Sequence, residues 1–336
     1  MNLNNSRLLK KIGKTFQIIL LLIACSIAFS GCGNFSSRES IKTTGFYFDT
    51  VISITLYEGG SKEVLDACMK LAEYYDALLS PNIEGSDIWK INHSLGQAVE
   101  VKEDTLTVLK TALSYAQLSD GLVDPSIGSL SSLWNFGSGN EKIVPTTEEI
   151  SDALSHVDYK AIIIEGNHVT VTDPEAQIDL GFIAKGFIGD QMKEFLISKG
   201  VSSALINLGG NVVTLGSRPD GAPFCIGIQK PFANAGTAAL TLDLSDISVV
   251  SSGNYERYFE KDGVYYHHIL SPKTGFPAET GLSQVTILSP RSIDADALST
   301  LCFLLGYENA SVLLKDYPDL QAVFITANGE IHYVNF

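Results

Sequence analysis

Basic residues are scarce in this chain. Its 336 residues include 23 lysines and arginines against 38 aspartates and glutamates, a formal net charge of −15 at pH 7. Proteins that bind nucleic acids hold the phosphate backbone with clustered lysines and arginines, so the composition argues against a nucleic-acid partner. The 45% hydrophobic content indicates a folded chain that buries a full core.

Several common catalytic signatures are also missing. The chain has no G-x-x-x-x-G-K-[ST] phosphate loop and no G-x-G-x-x-G after a strand, so the usual nucleotide-binding motifs are absent. A KTG triplet begins at Lys273, but no lysine has a serine three residues before it. Serine enzymes of the penicillin-binding kind need that S-x-x-K nucleophile, so this class is excluded.

Cysteine is scarce as well, with five in the chain. Cys68, Cys225 and Cys302 lie in apolar settings without the spacing of metal ligands, and we predict all three to be buried as small hydrophobic residues.

The N-terminus has the pattern of an export signal. Four basic residues precede FQIILLLIACSIAFSGC, an apolar stretch that ends in small residues. The apolar span from 16 to 29 is short for a transmembrane helix, which needs roughly 20 residues. The sequence therefore predicts residues 1–31 to be a signal peptide.

Cys32 follows Ser30 and Gly31, and this context resembles a bacterial lipoprotein processing site, where the thiol is acylated and becomes the new N-terminus. Cys25 is a less favoured alternative, because the apolar region before it is shorter. Acylation would anchor the protein on the extracytoplasmic face of the cell membrane. Residues 32–44 would then form a flexible tether.

After residue 44, helix and strand patterns are mixed without strict alternation. FYFDTVISITLYE alternates polar and apolar residues and predicts one strand. Helical spacing follows in four segments, 61–80, 101–121, 146–157 and 181–200. The first segment begins with a serine cap, Ser61, and the third with a threonine cap, Thr146. Hairpins are predicted where Gly166 and Gly329 interrupt strand patterns. Two further helices are predicted at 295–305 and 308–316. This order favours an α+β architecture.

The stretch DADALST, residues 294–300, supplies oxygen atoms at the start of a helix. We predict Asp294 to be the N-cap, and the carboxylate of Asp296 to complement the helix dipole. Asp296 and Thr300 are four residues apart and lie on one helix face. Their hard oxygen ligands suit Mg²⁺, with carbonyls, water and substrate phosphates completing the coordination.

Two other segments have both structural and functional interpretations. In IDLGFIAKGF, Asp179 can cap a helix and Lys185 can be solvated, or the turn can present backbone groups and the lysine to an anion. His267 and His268 lie in a predicted strand, so their side chains point to opposite faces. One of them can meet a site and accept a proton near neutral pH.

Four segments in order resemble the ApbE family, the FAD:protein FMN transferases, over residues 45–336. They are DPSIGSLSSLWNFG, IDLGFIAKGF, SSGNYERYFEKDGVYYHHILSPKTGFP and DADALST. The resemblance implies a single T-fold-like α+β catalytic domain with mixed sheets and packed helices. It also implies Mg²⁺-dependent transfer of the FMN moiety of FAD to a Thr or Ser hydroxyl of an acceptor protein, with release of AMP.

Residue by residue, the resemblance implies Mg²⁺ ligands at the Asp296 and Thr300 side chains and the Phe182 backbone carbonyl. His268 is the candidate base, with His267 as the fallback. FAD contacts are implied at Phe48, Asn82, Leu122, Val123, Asp124, Asp179, Lys185 and Leu270.

Asn82 departs from the family pattern, which frequently has an aromatic residue at that position. Ring stacking is lost there, so two alternatives stay open. One is Mg²⁺-dependent hydrolysis of FAD to FMN and AMP, and the other is a lipoprotein that binds FAD without turnover.

Overall fold

The computed structural model describes residues 40–137 and 142–336. The predicted signal peptide and residues 32–39 of the tether lie outside this part of the chain. Residues Ser40–Phe336 form one compact unit. Residues 41–44, which the sequence placed in the tether, are the first four residues of a strand, because they pair with the strand that follows.

The described residues form fifteen strands and seven α-helices. The strands are β1 (Ile41–Tyr47), β2 (Thr50–Glu58), β3 (Val99–Glu100), β4 (Ile162–Glu165), β5 (His168–Val171), β6 (Ser203–Leu208), β7 (Asn211–Leu215), β8 (Phe224–Gln229), β9 (Ala238–Leu244), β10 (Ser248–Gly253), β11 (Tyr258–Lys261), β12 (Val264–His267), β13 (Leu282–Ser289), β14 (Gln321–Thr326) and β15 (Ile331–Val334). The helices are α1 (Lys62–Leu79), α2 (Asp87–Asn92), α3 (Glu103–Leu118), α4 (Gly128–Trp134), α5 (Thr147–Ser155), α6 (Ala184–Ser198) and α7 (Ser292–Leu313).

An eight-stranded sheet organises the domain, in the order β1-β2-β6-β7-β10-β13-β14-β15. Every neighbouring pair is antiparallel. All residues of β13 are buried, because helices α6 and α7 cover one face of the sheet and the β8–β9 hairpin packs on the other. Alternate residues therefore enter different cores: Ile287 packs with the helices and Leu288 with the hairpin.

A smaller apolar cluster lies beside the main core. It contains Leu130 and Trp134 of α4, Ile150 of α5, and residues around the β11–β12 hairpin. The Trp134 indole N–H donates to the Gly275 carbonyl at 2.8 Å, so the buried ring is satisfied and fixed. This cluster ties the hairpin to α4 and α5.

Local capping signals are confirmed at two helices. The Ser61 hydroxyl accepts from the Val64 amide at the start of α1. Thr146 and Glu149 form a reciprocal capping box at the start of α5. Each signal lies within four residues of the helix end that it stabilises.

Two local predictions were wrong. The single strand predicted from FYFDTVISITLYE is a hairpin, whose turn residues Phe48 and Asp49 have φ values of 54° and 55°. The two predicted C-terminal helices are confirmed as the two parts of α7, which are separated by a break at Gly306, where φ is 73°. Cys225 is exposed, since it alternates with the residues of β8 that pack on the sheet, whereas Cys68 and Cys302 are buried as predicted.

The segment Ser292–Asp316 is apolar enough, with a mean hydropathy of 1.4 over 18 residues, to cross a membrane by composition. Half of that window is buried inside the protein. It is accordingly the central helix of the main core.

Candidate functional site

The turn before α6 is joined to the loop before α4. The Asp179 amide donates to the Pro125 carbonyl at 2.8 Å, and the Gly128 amide donates to the Gln177 carbonyl at 2.9 Å. The Asp179 carboxylate accepts from the Gly181 amide at 2.8 Å. Asp179 therefore shapes this turn instead of capping α6, which begins at Ala184.

Helices α6 and α7 meet closely at Gly186. A Cβ atom on Gly186 would lie 2.4 Å from the Ser292 carbonyl oxygen and 2.7 Å from the Asp296 Cβ atom. The Gly186 amide donates to Asp296 Oδ2 at 2.7 Å, while Oδ1 receives no hydrogen bond from the described residues. The Asp296 side chain, which is 3% exposed, is thus oriented through one oxygen.

A backbone oxygen also lies just before α6. Phe182 precedes the N-cap residue Ile183, so its carbonyl is outside the hydrogen-bond ladder of the helix. The Phe182 carbonyl accepts no hydrogen bond from the described residues. A carbonyl oxygen left in this way needs a partner, and one from outside the chain would satisfy it.

Three hydroxyl groups link β10 to α7. The Ser252 Oγ atom lies 3.1 Å from Thr300 Oγ1 and 2.7 Å from Ser299 Oγ. Ser299 donates in turn to the Asp296 carbonyl at 2.9 Å. The structure therefore surrounds the start of α7 with oxygen atoms from two elements.

The N-terminus of α7 is capped from α6. The Asp190 carboxylate accepts from the Ser292 amide at 2.7 Å and from the Ile293 amide at 3.0 Å. The predicted N-cap, Asp294, lies inside the helix, where it accepts from the Tyr115 hydroxyl at 2.9 Å. The prediction was wrong because a remote carboxylate already satisfies the first amides of the helix.

Charged side chains from two segments surround these oxygens. Lys185, in the first turn of α6, donates to the Gly181 carbonyl at 3.3 Å and interacts electrostatically with Glu256. Glu256 reaches solvent, but the dense protein around it raises the pKa of its carboxyl to about 7, against the lowering effect of Lys185 and Arg257. The side chains of Glu256 and Asp296 repel each other weakly within the same region.

The two histidines occupy different environments. His267 is buried with its ring edge against Phe303, and its Nε2 atom lies 3.1 Å from the Ala278 carbonyl. Burial lowers the pKa of His267 to about 4. His268 is half-buried, and burial, followed by the charge of Arg257, lowers its pKa to about 3. Lys185 acts on His268 as well, so His268 belongs to the charged region and His267 to the core.

The predicted flavin-side residues lie on other elements. The Phe48 amide, in the β1–β2 turn, donates to Asp76 at 3.1 Å near the end of α1. Asn82 is exposed just beyond that helix, and its backbone amide donates to the Ser80 hydroxyl at 3.3 Å. Leu270 is buried in the smaller cluster and forms an isolated bridge with Pro277.

The segment Leu122–Asp124 has a mainly structural arrangement. The side chains of Leu122 and Val123 belong to the main core. The buried Asp124 carboxylate accepts from the Ser126 amide and hydroxyl at 2.8 and 2.6 Å, and from the Tyr159 amide at 2.9 Å. Burial raises the pKa of Asp124.

The structure thus brings Phe182, Lys185, Asp296 and Thr300 to the contact between α6 and α7, with His268 within electrostatic reach of Lys185. In the described part of the chain, no hydrogen bond or ion pair joins this group to Phe48 or Asn82. Sequence reasoning missed five residues that support the group. Four of them lie in the polar segments already singled out: Gly186, Ser252, Glu256 and Arg257. The fifth, Asp190, lies three residues beyond IDLGFIAKGF.

In residues 40–137 and 142–336, no three His, Cys, Asp or Glu side chains cluster as metal ligands. A metal at the α6–α7 contact would instead use one carboxylate together with neutral oxygens, a set that suits a hard cation. Fold and site define an α+β domain in which hard oxygen atoms lie beside a lysine, a combination suited to phosphate chemistry.

Residues 48–324 match the model of the ApbE family, and the chain belongs to that family. The FAD:protein FMN transferase of Treponema pallidum is 34% identical over 328 residues, covering 91% of this chain and 90% of its own length. A second FAD:protein FMN transferase, from Klebsiella pneumoniae, is 37% identical over 265 residues, with coverages of 78% and 82%.

Solved structures of ApbE proteins have the same fold as this chain. The ApbE protein of Thermotoga maritima superposes with a TM-score of 0.80 at 32% identity, covering 88% of this chain and 97% of that chain. The flavin transferase ApbE of Vibrio cholerae gives 0.79 at 28% identity, with the same coverages. The predicted family, the α+β fold and the enzyme class of flavin transferase are confirmed.

Proposed function

We propose that this chain transfers the FMN moiety of FAD to a threonine or serine hydroxyl of an acceptor protein, uses Mg²⁺ and releases AMP. Family membership and the names of the relatives support the flavin transfer. One observation carries the metal dependence. Asp296 Oδ1 and the Phe182 carbonyl oxygen accept no hydrogen bond from the described residues, while Asp296 Oδ2 is held by the Gly186 amide.

Asp296, Thr300 and the Phe182 carbonyl would hold the Mg²⁺ ion. All three are hard oxygen donors, and one carboxylate with neutral oxygens leaves coordination positions for water and substrate phosphates. When bound, Mg²⁺ would neutralise the negative charge that develops on the pyrophosphate oxygens.

Lys185 and Arg257 add positive charge on the same side. Both act electrostatically on His268 and Glu256, so they face the region that a pyrophosphate would occupy. Two cations beside a bound pyrophosphate hold and orient it, which lowers the entropic part of the barrier.

His268 is the proposed base. Its pKa, lowered to about 3, leaves the imidazole neutral at pH 7, and the negative charge of a bound pyrophosphate would raise that pKa toward the range in which a general base works. The acceptor hydroxyl oxygen bonds to the FMN-side phosphorus, the bond from that phosphorus to the AMP oxygen breaks, and the hydroxyl proton passes to His268. The fallback, His267, has its ring in the core against Phe303, which favours His268.

The proposed FAD contacts use four side chains and two backbone segments. Lys185 and Asp179 lie beside the metal ligands, and Phe48 and Asn82 lie near the end of α1. Contacts from the core positions would run through their main chains: Leu122, Val123, Asp124 and Leu270.

We further propose that the protein is a lipoprotein, cleaved after the signal peptide and anchored through Cys32 on the extracytoplasmic face of the cell membrane. The basic residues, the apolar run and the small residues before Cys32 support this location. The acceptor protein would then be reached outside the cytoplasm.

The test is to incubate the purified protein with FAD and Mg²⁺, with and without a candidate flavoprotein acceptor. AMP together with FMN on a threonine or serine of the acceptor, seen by mass spectrometry, is the expected result. AMP alone in both reactions would show FAD hydrolysis, the second candidate, which the lost ring stacking at Asn82 favours. Bound FAD without AMP would show a flavin carrier and contradict both enzymes.

A further inference from the structure

The hydroxyl groups at the start of α7 form a chain that ends on a carbonyl. The chain runs from Thr300 Oγ1 to Ser252 Oγ (3.1 Å), from Ser252 Oγ to Ser299 Oγ (2.7 Å), and from Ser299 Oγ to the Asp296 carbonyl oxygen (2.9 Å). Ser299 is fully buried and Ser252 is 9% exposed. Bulk water therefore has little access to replace either hydroxyl as a hydrogen-bond partner.

All three hydrogen bonds can exist together in only one direction. Each hydroxyl has one proton to donate, and the Asp296 carbonyl can only accept. Ser299 must donate to that carbonyl, so Ser299 accepts from Ser252. Ser252 has then used its proton and must accept from Thr300. The direction of the whole chain follows from its last acceptor.

This direction decides what Thr300 can bind. With its proton given to Ser252, the Thr300 oxygen offers only lone pairs to the site. It can then accept from a donor or coordinate a cation, but it cannot donate to a phosphate oxygen. The opposite direction would give Thr300 a proton to offer, and it would break the bond from Ser299 to the Asp296 carbonyl.

We propose that Ser252 and Ser299 are positioning residues that hold Thr300 as an acceptor-only ligand for a divalent cation. The inference rests on the proposed function, which places a cation at Thr300 and Asp296. The chain starts at one proposed ligand and ends on the backbone of the other, so it also ties the two ligands together. Outer-shell hydrogen bonds of this kind fix the orientation of metal ligands.

The test measures cation binding directly, without turnover. Mn²⁺ is the probe, because it accepts the same hard oxygen ligands as Mg²⁺ and its free ion is counted by electron paramagnetic resonance. The full-length purified chain is titrated as wild type, Ser252→Ala, Ser299→Ala, Thr300→Val and Asp296→Asn. Ser251→Ala is the matched control, because the neighbouring hydroxyl bonds to Thr286 instead.

We expect Ser252→Ala to weaken Mn²⁺ binding roughly tenfold, the lower end of the effect of losing an outer-shell partner. Ser299→Ala should weaken it less, and Ser251→Ala should leave it unchanged. Ser252→Ala should also have no further effect in a Thr300→Val background, because Ser252 acts through Thr300. A structural role alone would predict additive losses. Circular dichroism confirms that each variant is folded.

Two results would overturn the inference, and they are distinguishable. If wild type binds Mn²⁺ and Asp296→Asn does not, but Ser252→Ala and Ser299→Ala bind as wild type, the positioning role is wrong and the metal site stands. If wild type and Asp296→Asn bind equally or not at all, the proposed metal site itself is wrong, and the hydroxyl chain has no ligand to orient.

Discussion

The two carboxylate oxygens of Asp296 have different tasks. Oδ2 accepts from the Gly186 amide, and Oδ1 is left for a ligand. Asp296→Ala should therefore abolish Mg²⁺-dependent transfer while the protein stays folded, with a loss larger than the roughly 10- to 100-fold that removal of an outer-shell partner costs. The rate of AMP release against Mg²⁺ concentration measures this.

Asp296→Asn is the companion variant, since its amide oxygen can still accept from Gly186. It should unfold at nearly the wild-type temperature and remain inactive. Full activity of either variant would contradict the metal assignment.

Gly186 is a site where one added methyl group has no room. Gly186→Ala would place a carbon 2.4 Å from the Ser292 carbonyl oxygen, which is backbone and cannot rotate away. We expect a destabilisation of about 1–3 kcal/mol, as for other overpacked contacts, measured by denaturant unfolding.

The control is Gly189→Ala, one turn along α6. Its added carbon would meet only side-chain atoms, at 3.0 Å or more. If Gly186→Ala lowers the free energy of unfolding no more than Gly189→Ala does, the α6–α7 contact adjusts to the added carbon and the expectation is wrong.

His268 makes stability depend on pH in a defined direction. Its folded pKa of about 3 lies below the ordinary value of 6.5, so between these values the unfolded chain binds the additional proton. The contribution of His268 to stability is present above pH 6.5 and is lost as the pH falls toward 3.

His268→Gln should therefore lose less thermal stability than wild type between pH 6.5 and 4, in scans by circular dichroism. His168→Gln, at an exposed position, serves as the control, and matching slopes for wild type and His268→Gln would refute the expectation.

Among the elements, α7 depends on α6 for its first hydrogen bonds. Asp190 accepts from two amides at the start of α7, so Asp190→Ala removes a cap supplied by another helix. We expect a loss of about 1–2 kcal/mol in the free energy of unfolding, with Asp190→Asn losing less because it keeps an acceptor. Urea titration measures both. Glu194→Ala, at an exposed position on α6, should change little, and a loss equal to that of Asp190→Ala would contradict the capping role.

The same helix shows why some elements could be predicted and others could not. The caps of α1 and α5 and the β4–β5 and β14–β15 hairpins depend on neighbouring residues, so local sequence patterns predicted them. The β1–β2 turn was missed because Phe48 and Asp49 adopt positive φ without glycine. The cap of α7 comes from a residue about a hundred positions earlier, and no local pattern shows such a pairing.

The candidate site also has a part that local sequence predicts and a part that depends on distant residues. Asp296 and Thr300 are one helical turn apart, and their shared face follows from spacing alone. The partners that orient them, Gly186 and Ser252, come from other elements, and only the packing of α6, α7 and β10 brings them there. The sequence could therefore supply the ligands but not their supports.

At the scale of the whole molecule, the predicted anchor has a direct test. Replacing Cys32 with alanine should move the protein from the membrane to the soluble fraction, because the thiol that would carry the acyl chains is lost. Cys25→Ala should stay in the membrane fraction. Fractionation followed by immunoblotting distinguishes these results, and membrane retention of Cys32→Ala would refute the assignment of the anchor.

The strand order also has a consequence for the time course of folding. Among the described strands, the N-terminal hairpin β1–β2 is joined to the rest of the large sheet through β6, so Ile54 pairs with Thr43 inside the hairpin but needs Ile206 to join the remaining strands. Contacts so distant in sequence slow folding, because a long loop must close before they form. A nascent chain that ends before Ser203 cannot assemble the sheet at all. The site at α7, still later in the sequence, is then among the last parts to form, and the chain remains unfolded and inactive until most of it has been made.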